Sequence, residues 1–275
     1  MPQQFPGRRR PAICYKYCVI KRRQFIGAAA SAGLAAAPAA AAQQNAFFEL
    51  RYYHMRNGSQ PQRTSDFLGK HFLPAAQRLG IGPLGFFGAV IAEGSPFILA
   101  LTSYPSAAAF ASSSERLLAD KEFQRAFDEY NSMTELSYIR MENCLLRAFD
   151  SAPSIAVPPA GQRPSRIFEL RTYESNNAKA AQRKIRMFNE GEAAIFQRLG
   201  MAPVFFGETL VGRNLPNLTY MLSFESMAAR DRLWGAFGAD AEWQKLRAQP
   251  GYSDAEIVSN ISNAILRPLD FSPIR

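Results

Sequence analysis

The sequence predicts an α+β protein made of two tandem ferredoxin-like units, each of order β-α-β-β-α-β, which pair within one chain to form an α/β barrel. Three observations support this prediction. The segment FELR occurs at 48–51 and again at 168–171, and further matches follow at the same offset of 120 positions. Each copy alternates strand-like and helix-like periodicity in the same order. A unit of this type covers one face of its sheet with helices, so the second copy is the nearest partner for the open face.

The repeat runs through most of the chain after residue 42. QRLG stands at 77–80 and at 197–200, and Asp120, Glu122 and Gln124 fall on Asp240, Glu242 and Gln244. Matches spread over such a length at one offset indicate an internal duplication. We therefore predict a first domain at 46–150 and a second at 165–275, joined by the linker 151–164, whose four prolines favour an extended chain.

The second copy shows each element most clearly. Residues 167–173 alternate as a strand, and apolar residues at helical spacing between 185 and 199 precede a helix-ending Gly200. Residues 204–211 and 218–224 form two further strands, separated by the turn sequence GRNLPN. Ser226 and Asp240 are suited to cap two helices, and 256–269 supplies the last strand.

The basic charge is concentrated in the first 42 residues. The chain carries a formal net charge of +9, with 32 basic and 23 acidic residues, and residues 1–42 hold seven of the basic residues and none of the acidic ones. The remainder is left with 25 basic against 23 acidic residues, or about +2, which argues against a nucleic-acid partner.

The same 42 residues have the pattern of a signal peptide. Arg22 and Arg23 are followed by Phe25, Ile26 and an alanine-rich run, and small residues before Gln43 suit cleavage there. This resembles a twin-arginine export signal and predicts a periplasmic or secreted protein. The alternative is a mitochondrial presequence, which is also rich in arginine and poor in acids. The run is too rich in alanine and too interrupted for a stable membrane span.

Cysteine and histidine give little support for a metal or cofactor. Cys14 and Cys18 lie in the leader, so Cys144 alone remains, and its apolar surroundings favour a small core residue. His54 and His71 are the only histidines and have no partner at ligand spacing. We predict no metal and no cofactor.

Several segments resemble the NIPSNAP domain: FELRTYE, FQRLGMAPVFFGETLVGRNLPNLTYMLSF, RDRLWGAF, EWQKLR and IVSNISNAILRPLDFSPIR. The second copy carries the pattern over nearly its whole length, and the first is a divergent version. The resemblance implies the dimeric α/β-barrel superfamily, in agreement with the element order. It implies no particular chemistry, and eukaryotic members are linked to mitochondria and to the recruitment of protein partners.

A polar set recurs on one face of the terminal strands. Because side chains alternate along a strand, we expect Phe168 and Leu170 to face the helices and the polar set to face the barrel interior. The candidate ligand-binding residues are Glu169, Arg171, Tyr173, Asn263 and Arg267, with Glu49, Arg51 and Tyr53 in the first copy. They could line a cavity for an anionic or carbonyl-bearing ligand. The alternative, which we favour because both copies keep the set, is a structural network joining glutamate and arginine.

These features predict an exported protein that binds a small ligand or a protein partner at the barrel. The alternative is a cofactor-independent monooxygenase or isomerase, which needs an enclosed pocket with Tyr173, Glu169 or His54 placed to abstract a proton. The sequence contains no complete catalytic constellation, so enzymatic activity stays open. A homodimer beyond the pairing within the chain also stays open.

Overall fold

The computed structural model describes residues 44–132, 135–157 and 166–275. The predicted export leader, including Cys14 and Cys18, lies outside the described residues, as does the second half of the predicted linker.

The first copy has the predicted order of elements, with its first helix interrupted by one π-helical segment. Its elements are β1 (Phe47–His54), α1 (Gln60–Phe67), a π-helical segment (Leu68–Phe72), α2 (Leu73–Arg78), β2 (Leu84–Ile91), β3 (Phe97–Tyr104), α3 (Ala107–Ala119), α4 (Lys121–Ser132) and β4 (Arg140–Ala148).

The second copy repeats this plan. Its elements are β5 (Ile167–Glu174), α5 (Ala178–Met187), a π-helical segment (Phe188–Glu192), α6 (Ala193–Arg198), β6 (Ala202–Val211), β7 (Asn217–Phe224), α7 (Met227–Ala239), α8 (Ala241–Arg247), α9 (Asp254–Ile257) and β8 (Asn260–Pro268). The short α9 takes the first residues of the segment that the sequence predicts as the last strand.

The predicted helix caps are confirmed. The Ser226 side chain accepts a hydrogen bond from the backbone nitrogen of Ala229 at 3.1 Å, and Asp240 Oδ1 accepts from Glu242 and Trp243 at the start of α8. Each cap satisfies a backbone donor that the first turn of a helix leaves without a partner.

The eight strands form a closed antiparallel barrel in the order β1-β3-β2-β8-β5-β7-β6-β4. Each copy supplies four consecutive strands, and the copies join where β2 pairs with β8 and β4 with β6. Strands β4 and β6 lie so close together that a Cβ added to Gly207 would be only 2.9 Å from Leu146 Cβ. The predicted intramolecular barrel is therefore confirmed.

The assignment of strand faces was wrong, although the alternation itself was right. Phe168 and Leu170 lie in the apolar cluster shared by both copies inside the barrel, together with Phe48 and Leu50. Tyr173 instead belongs to the cluster between the sheet and the helices of the second copy. The apolar cluster fills the middle of the barrel interior, whereas the outer face of the sheet has polar partners within reach on the helices.

In the part of the chain that the structure describes, no helix is both long and apolar enough to cross a membrane.

Candidate ligand site at one end of the barrel

A cavity of about 300 Å³ occupies the end of the barrel where β1 and β5 finish. Both copies contribute corresponding strand ends to it, since β4 and β8 begin there and the β2–β3 and β6–β7 turns border it. Leu50 and Leu170 lie deepest along their strands. The remaining lining residues that bear on its chemistry are Tyr52, His54, Glu93, Phe97, Glu142, Cys144, Thr172, Thr209, Arg213, Asn217, Thr219 and Ser262.

The wall from the first copy is aromatic. The rings of Tyr52 and Phe97 meet edge to face with centroids 5.4 Å apart, and His54 stacks beside Tyr52 at 6.1 Å. Such a wall offers ring faces and edges to a flat ligand.

The wall from the second copy carries hydroxyl and amide groups at the equivalent positions. Thr172 takes the place of Tyr52 and Asn217 that of Phe97, at the repeat offset of 120. The Oγ1 atoms of Thr172 and Thr219 share a hydrogen bond of 2.8 Å. The cavity therefore has two chemically different sides, although the two halves of the barrel share one fold.

His54 combines burial with an unused nitrogen. Its Nδ1 lies 3.5 Å from the carbonyl oxygen of Gly94, and its Nε2 lies 3.5 Å from Glu142 Oε1. Nε2 is buried and has no hydrogen-bond partner among the described residues. A buried polar atom of this kind is exceptional in folded proteins and suits a group that pairs with a ligand.

Glu142 is held as an anion at the cavity entrance. Arg140 Nε donates to its Oε1 at 2.7 Å and Arg213 Nη1 donates to its Oε2 at 3.0 Å. The hydrogen bond from Arg140 is the largest influence on the pKa of this carboxyl, which is lowered by Arg140, by Arg213 and by the nearby His54 despite partial burial.

Two further groups on the first-copy wall stay neutral at ordinary pH. Burial raises the pKa of the Tyr52 phenol, and the neighbouring Cys144 and Glu142 add to this shift. Burial also raises the pKa of the Cys144 thiol. Tyr52 is thus a hydrogen-bond donor and acceptor, and Cys144 is an unreactive lining group.

The predicted polar set forms a different structure, under the helices of the second copy. The fully buried Glu169 accepts hydrogen bonds from Arg171 Nη1 at 2.9 Å, from Arg230 at 2.7 and 2.8 Å, from Trp234 Nε1 at 2.8 Å and from Asn263 Nδ2 at 3.3 Å. Burial alone would raise the pKa of Glu169, but the donors on α7 and the charge of Arg171 outweigh it and the pKa is lowered.

Tyr173 extends this network. Arg171 Nη2 donates to Tyr173 Oη at 3.2 Å, and the hydroxyl of the buried Tyr220 donates to the same oxygen at 2.9 Å. The Arg171 guanidinium also lies over the Trp234 ring, 4.5 Å from its centroid. Arg171 Nε is buried and has no hydrogen-bond partner among the described residues.

The first copy holds a smaller version. Arg51 donates to Glu49 Oε1 from Nε at 2.9 Å and from Nη2 at 2.6 Å, and Tyr104 Oη donates to Glu49 Oε2 at 2.9 Å. Tyr53 is buried against the edge of Tyr138. The predicted pairing of glutamate with arginine is present in both copies.

Of the eight predicted site residues, Asn263 alone lines the barrel-end cavity. Arg267 is exposed on β8 and takes no part in the Glu169 network. A ligand role for the set stays a prediction. Sequence reasoning named His54 as a base but missed Tyr52, Glu142 and the threonine wall. Had the opposite strand face been chosen, positions 50, 52 and 54 would have indicated them.

Together, the closed barrel of two fused ferredoxin-like units and the cavity at its end define a dimeric α/β-barrel fold contained in one chain. The NIPSNAP family model matches residues 48–153 and 168–273, which are the two copies. The chain therefore belongs to the NIPSNAP family.

Two solved structures of similar fold match most of the chain, and a third matches less than half of it. A candidate monooxygenase from Fusobacterium nucleatum is 9% identical, with a TM-score of 0.54, over 82% of this chain and 94% of that one. An anthrone oxidase-like protein is 10% identical, with a TM-score of 0.50, over 82% and 92%. A NIPSNAP family protein from Agrobacterium tumefaciens is 24% identical, with a TM-score of 0.38, over 44% and 100%. No curated protein matches the chain by sequence.

Proposed function

We propose that this NIPSNAP protein binds a small, flat organic molecule in the barrel-end cavity. The observation that carries the proposal is the pair of unlike walls, one built from Tyr52, His54 and Phe97 and the other from Thr172 and its hydroxyl and amide neighbours. The first wall suits an aromatic or conjugated ring, and the second suits polar substituents on it.

The size of the cavity limits the ligand. A volume of about 300 Å³ is at the lower end of the range for small-molecule pockets. The deep end is closed by Leu50 and Leu170, while the charged and amide groups lie toward the strand ends. A single-ring compound would thus place its apolar part inside and its polar part toward His54 and the entrance.

The proposal is tested by finding the ligand and then closing the cavity. Native mass spectrometry of the protein purified from its own host shows whether a small molecule is retained. Thr172→Phe places a ring where the molecule would lie, so we expect the adduct to disappear while the melting temperature is unchanged or higher. Gln182→Ala lies in a separate surface cleft and serves as the matched control. A retained adduct in Thr172→Phe refutes this site.

A second candidate function is cofactor-independent catalysis, as a monooxygenase or isomerase. It is supported by His54, which lines the cavity and whose buried Nε2 has no hydrogen-bond partner among the described residues and lies 3.5 Å from the carboxylate of Glu142. In this arrangement the imidazole takes a proton from the bound molecule and Glu142 stabilises the resulting imidazolium. The solved structures described as monooxygenase and anthrone oxidase-like add support by fold alone, which is a weaker warrant.

The two functions separate experimentally at His54. His54→Gln keeps a polar side chain of similar size, so binding should persist with at most a modest loss of affinity. Turnover, followed as dioxygen uptake or as exchange of ligand hydrogen with deuterated solvent, should fall by about 10²–10⁴-fold if His54 is the base. Turnover that survives the substitution excludes this role, and a protein that binds without turnover is a binding protein only.

A further inference from the structure

Most of the large apolar side chains that are exposed among the described residues lie at the barrel end that contains the cavity. Thirteen large apolar side chains are exposed among the described residues, and eight of them lie on the strand ends and hairpins here. They are Val90, Ile91, Ile139, Met141, Leu210, Val211, Leu215 and Ile261. Ile91 and Val211, which occupy equivalent positions in the two copies, are 63% and 61% exposed. Apolar side chains concentrated in this way mark an interaction surface.

The two hairpins at this end carry opposite charges at equivalent positions. Residues 92–96 join β2 to β3 and include Glu93, whereas residues 212–216 join β6 to β7 and include Arg213. Glu93 is exposed and has no hydrogen bond or ion pair among the described residues. Arg213 uses one nitrogen for Glu142, and its side chain is 70% exposed. Both residues border the cavity.

The barrel places these hairpins opposite each other. Going round the strand order, two strands separate β2 from β7 on one side and two separate β3 from β6 on the other. Suppose that two copies meet end to end about a two-fold axis that crosses the barrel opening. The β2–β3 hairpin of one copy then faces either the β2–β3 hairpin of the other copy, which is the like arrangement, or its β6–β7 hairpin, which is the unlike arrangement. The like arrangement sets Glu93 against Glu93, whereas the unlike arrangement sets Glu93 against the partner's Arg213 twice.

We propose that two copies of this chain associate end to end through this surface, with the β2–β3 hairpin of each copy facing the β6–β7 hairpin of the other. The apolar side chains of the two ends then cover one another, and the Glu93–Arg213 pairs select the orientation. The opening of each cavity faces that of the second copy, so dimerisation encloses both candidate ligand sites. The other charges at the entrance are already paired: Glu142 with Arg140 and Arg213, and Glu174 with two asparagine amides.

A charge swap tests the proposal. Sedimentation velocity over a concentration series gives the monomer–dimer dissociation constant of the purified protein. Glu93→Arg and Arg213→Glu, each alone, turn two attractions into two repulsions and should raise that constant by about tenfold. The double variant Glu93→Arg/Arg213→Glu restores opposite charges and should recover wild-type affinity to within about threefold. A wild-type protein that stays monomeric, or a double variant no better than the singles, overturns the arrangement.

The apolar contribution is tested in parallel. Ile91→Asp should also dissociate the dimer, whereas Leu118→Asp, at an exposed apolar position on α3, should not. Melting temperatures of all variants must stay near that of the wild type. Co-sedimentation with phosphatidylcholine vesicles containing phosphatidylglycerol tests whether this surface binds lipid instead of a second copy. Vesicle binding by a monomeric wild type, lost in Ile91→Asp, would assign this surface to lipid and refute the dimer.

Discussion

A buried ion pair between Lys184 and Glu192 offers the most direct test of how the second copy is held together. Lys184 on α5 donates to Glu192 Oε2 at 2.8 Å, and the two side chains are 1% and 2% exposed. The rings of Tyr173, Phe188 and Trp243 surround the ammonium group at 5.0–5.4 Å from their centroids. The first copy has Thr64 and Phe72 at the equivalent positions, so the pair is not required by the fold.

Glu192→Gln removes the negative charge and leaves the buried Lys184 ammonium without an anionic partner. Loss of one partner of a buried pair costs about 3–5 kcal/mol. For a chain of this size, about 1 kcal/mol corresponds to ~2–4 °C, so we expect the melting temperature to fall by about 6–20 °C. The loss is a large part of the ~5–15 kcal/mol that separates folded from unfolded protein.

The Lys184–Glu192 pair contributes less to the free energy of folding than the removal of one partner suggests. Burial raises the pKa of Glu192, and the charge of Lys184 offsets that only in part, so the carboxylate is held at a net cost. We therefore expect the double variant Lys184→Met/Glu192→Leu to be as stable as the wild type or more so, because apolar side chains of similar size need no compensation.

Urea unfolding followed by circular dichroism measures all three free energies. Asp66→Asn is the matched control, since the Lys70–Asp66 pair at 3.2 Å is 68% and 44% exposed and should change stability by less than about 0.5 kcal/mol. A cost below about 1 kcal/mol for Glu192→Gln, or a double variant as unstable as the single, would refute the reasoning.

Three further outcomes are expected. Burial raises the pKa of Glu169, but the hydrogen bonds from α7 outweigh burial, so the pKa in the folded protein lies below the ordinary 4.5. The ionised Glu169 therefore stabilises the folded state fully above pH 4.5, and this stabilisation is lost as the pH falls through the folded pKa. Glu169→Gln should thus be less stable at neutral pH and flatten the acid limb of a pH series of urea titrations. Cys144 should react with iodoacetamide more than about tenfold slower in the native protein than in urea, because burial raises its pKa. If the leader is a twin-arginine signal, Arg22→Lys/Arg23→Lys should accumulate uncleaved precursor in the cytoplasm by immunoblot; normal processing would exclude that route.

The architecture was predictable because the repeat supplies it twice. An offset of 120 residues relates β1 to β5 and β3 to β7, so a weak strand pattern in one copy is supported by the other. The caps at Ser226 and Asp240 follow from local chemistry within four residues and were predicted for that reason. The short α9 was missed, since one turn of helix has too little periodicity to be separated from a strand start.

The inner and outer faces of the strands could not be assigned from the sequence. Alternation divides FELRTY into two sets of residues but does not say which set faces the barrel. Both faces of these strands are buried, so the usual contrast of apolar inside with polar outside is missing. The Glu169 side chain points away from the barrel interior, toward its hydrogen-bond donors Arg230 and Trp234 on α7. The position of α7 against the sheet depends on tertiary packing.

The comparison of the two copies separates structural residues from candidate functional ones. The pairing of glutamate with the arginine two residues later is the same in both copies: Glu49 with Arg51 and Glu169 with Arg171. Glu169 also joins its strand to α7, whereas Glu49 joins β1 to Tyr104 on β3. A single ligand on a pseudo-two-fold axis meets both halves at once, and unlike walls give it one orientation. The equivalent positions differ at the cavity, with Tyr52 against Thr172, His54 against Glu174, Phe97 against Asn217 and Glu142 against Ser262. At the cavity the two copies thus present different side chains to the place where one asymmetric molecule would lie, which directs the search for function to the His54 side of the cavity and away from the repeated glutamate–arginine pairs.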